Sequence, residues 1–116
     1  MDTKYHIKDN CIYFNCNFNE PLDNYTDIIK NCTCIVFSNY DDYDVCIKIK
    51  NQYEEKYYKN YKHSKFNQPL GNSLNQLTRL KELTFGDNFN CPLENSLNHL
   101  TNLKELTFII VNLITH

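Results

Sequence analysis

Short alternations of apolar and polar residues recur along the chain at a spacing of 23 residues. The clearest is Leu83-Thr84-Phe85, which returns as Leu106-Thr107-Phe108. Because successive side chains of a strand point to opposite faces, the leucine and the phenylalanine are predicted to point into a core and the threonine to point out. The pattern therefore predicts short strands that repeat one orientation.

Earlier stretches of the chain fit the same frame. Ile12 and Phe14 align with Leu83 and Phe85, and the pair Ile35 and Phe37 follows 23 residues after the first pair. Five strand-like segments are predicted in this way, centred near residues 13, 36, 60, 84 and 107. The middle segment, near 57–62, fits only with an insertion or with polar residues in core positions. Consecutive strands are expected to pair in parallel.

A second motif, Phe-Asn-x-Pro-Leu, occurs at 18–22, 66–70 and 89–93. Proline suits a corner better than a central strand, so this motif is predicted to turn the chain away from the sheet, with its Phe and Leu pointing back into the core. Leucines at 97, 100 and 103 then allow a short, tight helical return. Periods of about 20 to 50 residues indicate stacked repeats. The expected fold is therefore α/β: a short leucine-rich-repeat-like solenoid with a parallel sheet of about five strands and mostly irregular or short-helical connecting legs.

The 116 residues are expected to form a single repeat domain, 1–116. Residues 1–37 would contain degenerate N-terminal repeats, and residues 66–116 two clear repeats and an end strand. Residues 38–65 depart from the pattern and are either a divergent repeat or an insertion, with a bulging loop and a short helix as further alternatives. Asn17 and Asn88 are predicted to bond free backbone groups at the bends.

Charge and composition narrow the function classes. A net charge of −2 argues against a general nucleic-acid binder. Lysines and tyrosines alternate between Lys48 and Lys65, but Glu54 and Glu55 lie among them, which favours a solvated face over a single-strand binding track. The longest apolar stretch, 108–114, is too short to span a bilayer, and no secretory signal follows Met1. We therefore expect neither nucleic acid nor a membrane as partner, and a cytoplasmic location.

Two pairs of residues carry candidate chemistry. Cys11 and Cys34 lie 23 residues apart, with Cys32 nearby, and would occupy equivalent outward positions on neighbouring strands. They are either a metal or redox pair or two ordinary thiols. Since the sequence has no second ligand pair at zinc spacing, ordinary thiols are favoured.

Glu82 and Glu105 hold one repeated outward position. Paired catalytic carboxylates need a cleft that separates their pKa values, whereas a position flanked by Lys81 and Lys104 indicates a solvated stripe of mixed charge. The sequence also has no nucleophile motif and no phosphate-binding glycine loop. We therefore predict no enzyme, no catalytic residue, no metal and no cofactor.

The repeats resemble the FNIP family, leucine-rich-like repeats of social amoebae and of giant viruses that infect amoebae. Residues 66–108 carry the resemblance most strongly, through Phe66-Asn67-Gln68-Pro69-Leu70, Phe89-Asn90-Cys91-Pro92-Leu93 and the two Leu-Thr-Phe strands. Viral members often place an F-box before the repeats, which would recruit a ubiquitin ligase. Here the first eleven residues are too few for an F-box, so that function is not implied. A viral origin would place the protein in the host cytoplasm.

The expected function is that of a non-enzymatic repeat protein that binds a host or viral protein partner through its open sheet face. The predicted partner-binding residues are the outward strand positions Tyr13, Val36, Glu82, Thr84, Glu105 and Thr107. A second hypothesis is a self-associating structural module that forms a homo-oligomer through the C-terminal end, at Ile109, Ile110, Val111, Leu113 and Ile114. A non-functional repeat remnant is the third.

Overall fold

A computed structural model describes residues 4–109 of the chain. The strands are β1 (Tyr5–Lys8), β2 (Cys11–Phe14), β3 (Cys34–Phe37), β4 (Glu82–Phe85) and β5 (Glu105–Phe108). The helices are α1 (Thr26–Ile29), α2 (Tyr43–Asn51) and two 3₁₀ helices, Leu22–Tyr25 and Glu55–Asn60. The strands form one five-stranded sheet in the order β1-β2-β3-β4-β5. All neighbours pair in parallel except β1 and β2, which are antiparallel. A mixed α/β fold with a mostly parallel sheet is thereby confirmed.

One face of the sheet, called the inner face here, carries two rows of stacked phenylalanine rings. The strand row runs through Phe14, Phe37, Phe85 and Phe108, with 5.2, 5.6 and 5.4 Å between successive ring centroids. The corner row runs through Phe18, Phe66 and Phe89, with 5.9 and 5.8 Å between centroids. Parallel pairing places equivalent side chains one above another, so each ring packs on its counterpart in the next unit. The prediction that the corner phenylalanines point into the core is confirmed.

The asparagines of the first two Phe-Asn-x-Pro-Leu corners each bond to the corner that follows. Asn19 Oδ1 accepts from the backbone N–H of Asn67 at 2.9 Å, and Asn67 Oδ1 accepts from the N–H of Asn90 at 2.7 Å. These bonds satisfy backbone donors that a corner would otherwise leave open. The prediction that assigned this role to Asn17 and Asn88 is wrong: both side chains are exposed, and the corner bonds use Asn19 and Asn67 instead.

The connecting legs return to the sheet through tight turns. In the leg that follows the Phe66 corner, Leu77 N–H donates to the carbonyl of Leu74, and Leu80 N–H to that of Leu77, both at 3.1 Å. Leu100 and Leu103 repeat this spacing in the next unit. Bonds from residue i to i−3 are those of a 3₁₀ turn, which brings every third leucine to one side. Leu74, Leu77 and Leu80 are fully buried by this arrangement.

The strand predicted near residue 60 is wrong. Residues 55–60 form a 3₁₀ helix, and β3 pairs directly with β4, Ile35 opposite Leu83. Phe66 stacks on Phe37 at 4.0 Å, as Phe89 stacks on Phe85 at 4.1 Å, although it follows Phe37 by 29 residues and not by four. The 38–65 segment therefore leaves the sheet after β3, and the chain returns at the Phe66 corner, which packs beside β3.

The strand that the sequence pattern did not predict is β1, which lies at the opposite edge of the sheet from β5. It pairs with β2 through a two-residue turn, Asp9-Asn10, whose φ angles are +52° and +64°. Asp and Asn tolerate this left-handed conformation, which matches the twist of a hairpin. The sequence prediction of five strands thus had the right number but placed one of them incorrectly.

The 38–65 segment covers part of the other face of the sheet, called the outer face here. Helix α2 begins after Asp42, whose carboxylate accepts from the Asp44 N–H at 2.9 Å. Its buried Cys46 donates to Ser38 Oγ at 2.9 Å, close to the end of β3. The result is a second, smaller hydrophobic cluster built from Cys11, Tyr13, Cys34, Val36, Tyr40 and Cys46.

The end of the 38–65 segment is held by the turn after β4. Asp87, whose side chain is 7% exposed, accepts from Tyr61 Oη at 3.0 Å and from Ser64 N–H at 2.9 Å, and it also contacts His63 Nδ1. A Cβ at Gly86 would collide with the Ser64 side chain. Gly86 and Asp87 therefore anchor the end of the 38–65 segment.

Candidate partner-binding groove

The outward residues predicted to bind a partner fall into two groups. Tyr13 and Val36 are only 4% and 8% exposed, because α2 and the tyrosines of the 38–65 segment pack over β2 and β3. The expectation that Tyr13 lines an open face is therefore wrong, and Val36 exposes only a small part of its surface. Burying Tyr13 and Val36 removes apolar surface from water, which stabilises the packing of the 38–65 segment on the sheet.

The other four residues remain accessible. Glu82 and Thr84 on β4 are half-buried, and Glu105 and Thr107 on β5 are exposed. Their strands pair in register, Glu82 opposite Glu105 and Thr84 opposite Thr107, so the four side chains form a compact patch. This patch is one side of a groove of about 270 Å³, which we call the outer groove. Val36, Tyr40 and Ile49 line its apolar part.

Lys50 at the end of α2 supplies a positive charge beside the carboxylates. Its Nζ lies 3.3 Å from Glu82 Oε1 and bridges the helix to β4. Burial opposes the charged form of Lys50, but attraction to Cys34 and Glu82 outweighs it and raises the pKa of the ammonium group. The outer groove therefore combines an apolar wall, two hydroxyls, two carboxylates and one cation, which suits a polar peptide surface better than a small apolar ligand.

A second depression, of about 320 Å³, lies on the other side of Lys50 and Glu82. Cys11 and Cys34 lie in its wall, directly opposite each other on β2 and β3 as their spacing predicts. A hydrogen bond from the Cys34 thiol lowers the pKa of Cys11. The same bond, together with burial, raises the pKa of Cys34. The two thiols thus lie opposite each other on neighbouring strands and have pKa values shifted in opposite directions.

Metal, membrane and self-association sites are the other candidates within residues 4–109. Within that range no group of three or more His, Cys, Asp and Glu side chains is placed to hold a metal ion. No helix there is long and apolar enough to cross a membrane. Of the residues expected to mediate self-association, Ile110, Val111, Leu113 and Ile114 lie outside the described range, and Ile109 donates its N–H to the Phe85 carbonyl at 2.9 Å.

Sequence reasoning missed the cover on the outer face. A signal was present: Val45, Cys46 and Ile49 have helical spacing, and Asp42 is a suitable N-cap before them. The contacts of Asp87 with Tyr61 and His63 carry no such local signal, because they join residues 24 to 26 positions apart.

Comparisons with family models, with curated proteins and with solved structures found no match to the chain.

Proposed function

We propose that the protein is a non-enzymatic repeat protein, an FNIP-like solenoid, that binds a protein partner through the outer groove. The observation that carries this proposal is the division of the outer face. The 38–65 segment covers β2 and β3, whereas β4 and β5 keep four outward polar side chains accessible beside an apolar wall. Strand faces of stacked repeats are the surfaces such proteins use for binding.

The regular stacking of the units supports the solenoid interpretation. Phenylalanines of successive units stack within 6 Å of one another in both rows. The corner asparagines repeat one hydrogen bond from unit to unit. A rigid stack of this kind holds the outward residues of β4 and β5 at fixed spacing, which reduces the entropy lost when a partner binds.

The charges of the outer groove point to the chemistry of the partner. Lys50 already faces Glu82, while Glu105 on the neighbouring strand is exposed and has no ion pair among the described residues. A partner that presents a lysine or arginine to Glu105 and an apolar side chain to Ile49 and Val36 would complement the groove. The partner is therefore expected to be a protein segment with a basic residue next to an apolar one.

The test is a quantitative pull-down with the tagged chain, followed by binding of each recovered protein in purified form. The variant Thr84→Ala/Glu105→Ala removes two groove side chains without touching the inner core. The matched control is Thr78→Ala/Glu55→Ala, which makes the same substitutions at exposed positions outside the groove. We expect the groove variant to weaken binding about tenfold or more, as loss of a contact worth about 1.4 kcal/mol does.

The folded state of each variant is checked by circular dichroism. A partner that binds the groove variant and the wild-type chain equally would contradict the proposal. Turnover of a substrate by the purified chain would overturn the non-enzymatic assignment altogether.

A second candidate function, self-association, is favoured by one observation. Leu106 and Phe108 on the inner face of β5 are 39% and 43% exposed, and large exposed apolar side chains on an edge strand can pair with another chain. Light scattering over a range of concentrations tests it. Growth in mass that Phe108→Asp abolishes and Tyr58→Asp leaves unchanged would favour an assembly module, whereas a monomer at all concentrations would exclude it.

A further inference from the structure

We propose that Cys11 and Cys34 form a redox-active dithiol that closes to a disulfide when it reacts with hydrogen peroxide. This site adjoins the outer groove, with which it shares Lys50 and Glu82, and it does not depend on partner binding. Six cysteines are present in the chain and all those of the described range are free, and this pair is distinguished from the rest first by its position.

The geometry of the sheet brings the two thiols together. Cys11 lies opposite Cys34 in the register of β2 and β3, and both side chains point to the outer face. Neighbouring strands lie about 4.8 Å apart, which falls within the Cα–Cα range of about 4.4–6.8 Å for disulfides. The bond therefore needs a rotation of the two side chains and a small approach of the strands, since the Cβ atoms of a disulfide lie about 3.5–4.5 Å apart.

The depression beside the thiols opens to solvent and places charged side chains close to them. Lys8 and Lys50 line it together with Asp9 and Glu82. The two cysteines are 5% and 3% exposed, so an oxidant must be as small as hydrogen peroxide to reach them through the depression. Thiolates react faster than thiols and are favoured beside lysine, and Lys50 acts on Cys11 in this direction.

The other cysteines lack this environment. Burial raises the pKa of Cys16 and of Cys32, and it raises that of Cys46 to about 11. Cys91 is half-exposed but lies at a corner with Asn67 as its hydrogen-bond partner. Only in the Cys11–Cys34 pair does a thiol whose pKa is lowered lie opposite a second thiol on the neighbouring strand.

The chemistry balances with one peroxide. The Cys11 thiolate attacks an oxygen of hydrogen peroxide, the O–O bond breaks, and the released hydroxide takes up a proton to give water. This leaves a sulfenic acid on Cys11. The Cys34 sulfur then attacks the Cys11 sulfur, the S–O bond breaks, and the proton of Cys34 leaves with the oxygen as a second water. The two thiols lose two electrons in total, and glutathione thiols can return them by exchange.

The experiment follows all six cysteines at once in the full-length chain. The reduced protein is treated with one equivalent of hydrogen peroxide, the free thiols are alkylated, and the chymotryptic peptides are analysed by mass spectrometry over time. We expect a disulfide-linked peptide pair containing Cys11 and Cys34 to form about tenfold faster than any product at Cys91. Reduced glutathione should then reverse it.

Variants separate the dithiol from general thiol oxidation. In Cys34→Ser, the sulfenic acid on Cys11 should persist and be trapped by dimedone. Lys50→Gln should slow oxidation roughly three- to tenfold, since a rise of one unit in the pKa of Cys11 lowers its thiolate fraction about tenfold. Lys48→Gln, on the exposed side of α2, should leave the rate unchanged. Oxidation of Cys91 ahead of Cys11, or the absence of the linked pair, would overturn the proposal. Equal rates in the two lysine variants would overturn the role of Lys50.

Discussion

Strands β4 and β5 have the same sequence, Glu-Leu-Thr-Phe, but they bury very different fractions of their surface. Leu83 and Phe85 of β4 are 1% and 0% exposed, while Leu106 and Phe108 of β5 are 39% and 43% exposed. Strand β4 lies between β3 and β5, whereas within residues 4–109 β5 pairs with β4 alone. Burial in this sheet is therefore set by the neighbouring units and not by the sequence of the strand itself.

The largest expected effect comes from truncating the same phenylalanine in the two strands. Phe85→Ala should lower the free energy of unfolding by about 3–5 kcal/mol, because it opens a cavity between Phe37 and Phe108. Phe108→Ala removes a ring that is already partly in water and should cost about 1 kcal/mol. Urea titrations of the two variants beside the wild-type chain measure both values. Equal losses would mean that β5 is buried as deeply as β4.

The next effect concerns the residue that follows each strand. Gly86 follows β4, whereas Ile109 follows β5. The absence of a side chain at position 86 leaves room for Ser64, which packs against this glycine. Gly86→Ala should destabilise by about 1–3 kcal/mol, since the new methyl group overpacks the contact.

A double-mutant cycle sharpens this prediction. Ser64→Gly removes the side chain that the new methyl group meets, so the double variant should recover part of the loss caused by Gly86→Ala. Strict additivity of the two changes would show that the 38–65 segment does not return against this turn.

The smallest effect distinguishes two corners with the same motif. Asn67 Oδ1 accepts from the N–H of Asn90 at 2.7 Å, and no equivalent bond from the Asn90 side chain occurs in the described part of the chain. Asn67→Ala should therefore cost about 1 kcal/mol, the usual net value of one hydrogen bond, while Asn90→Ala should cost close to nothing. Thermal unfolding of both variants checks this. A larger loss for Asn90→Ala would reverse the assigned direction of the corner bonds.

The periodic part of the fold could be predicted from the sequence because each repeat sets the same pattern. Leu83 and Phe85 were placed correctly on the inner face, and the 23-residue spacing gave the register of Cys11 with Cys34 and of Glu82 with Glu105. A shift of one residue would have sent these side chains to the wrong face, so the period carried real information.

The parts that break the period could not be placed in this way. The pattern gave no reason for β3 to pair with β4 across the 38–65 segment, or for α2 to cover Tyr13 and Val36. Such contacts depend on the surface that the other elements leave open, which a local pattern does not contain. The hairpin of β1 had a local signal in Asp9-Asn10, but its strand lacks the Leu-x-Phe pattern used for the others.

The most direct test of this account is an NMR measurement of nuclear Overhauser contacts in the labelled full-length chain. The account predicts backbone contacts between Ile35 and Leu83 and side-chain contacts from Ser38, next to β3, to Cys46 on α2. Together these would establish that β3 and β4 are neighbours and that the 38–65 segment covers the outer face beside the groove. Contacts from residues 57–62 to both Ile35 and Leu83 would show an intervening strand and contradict it.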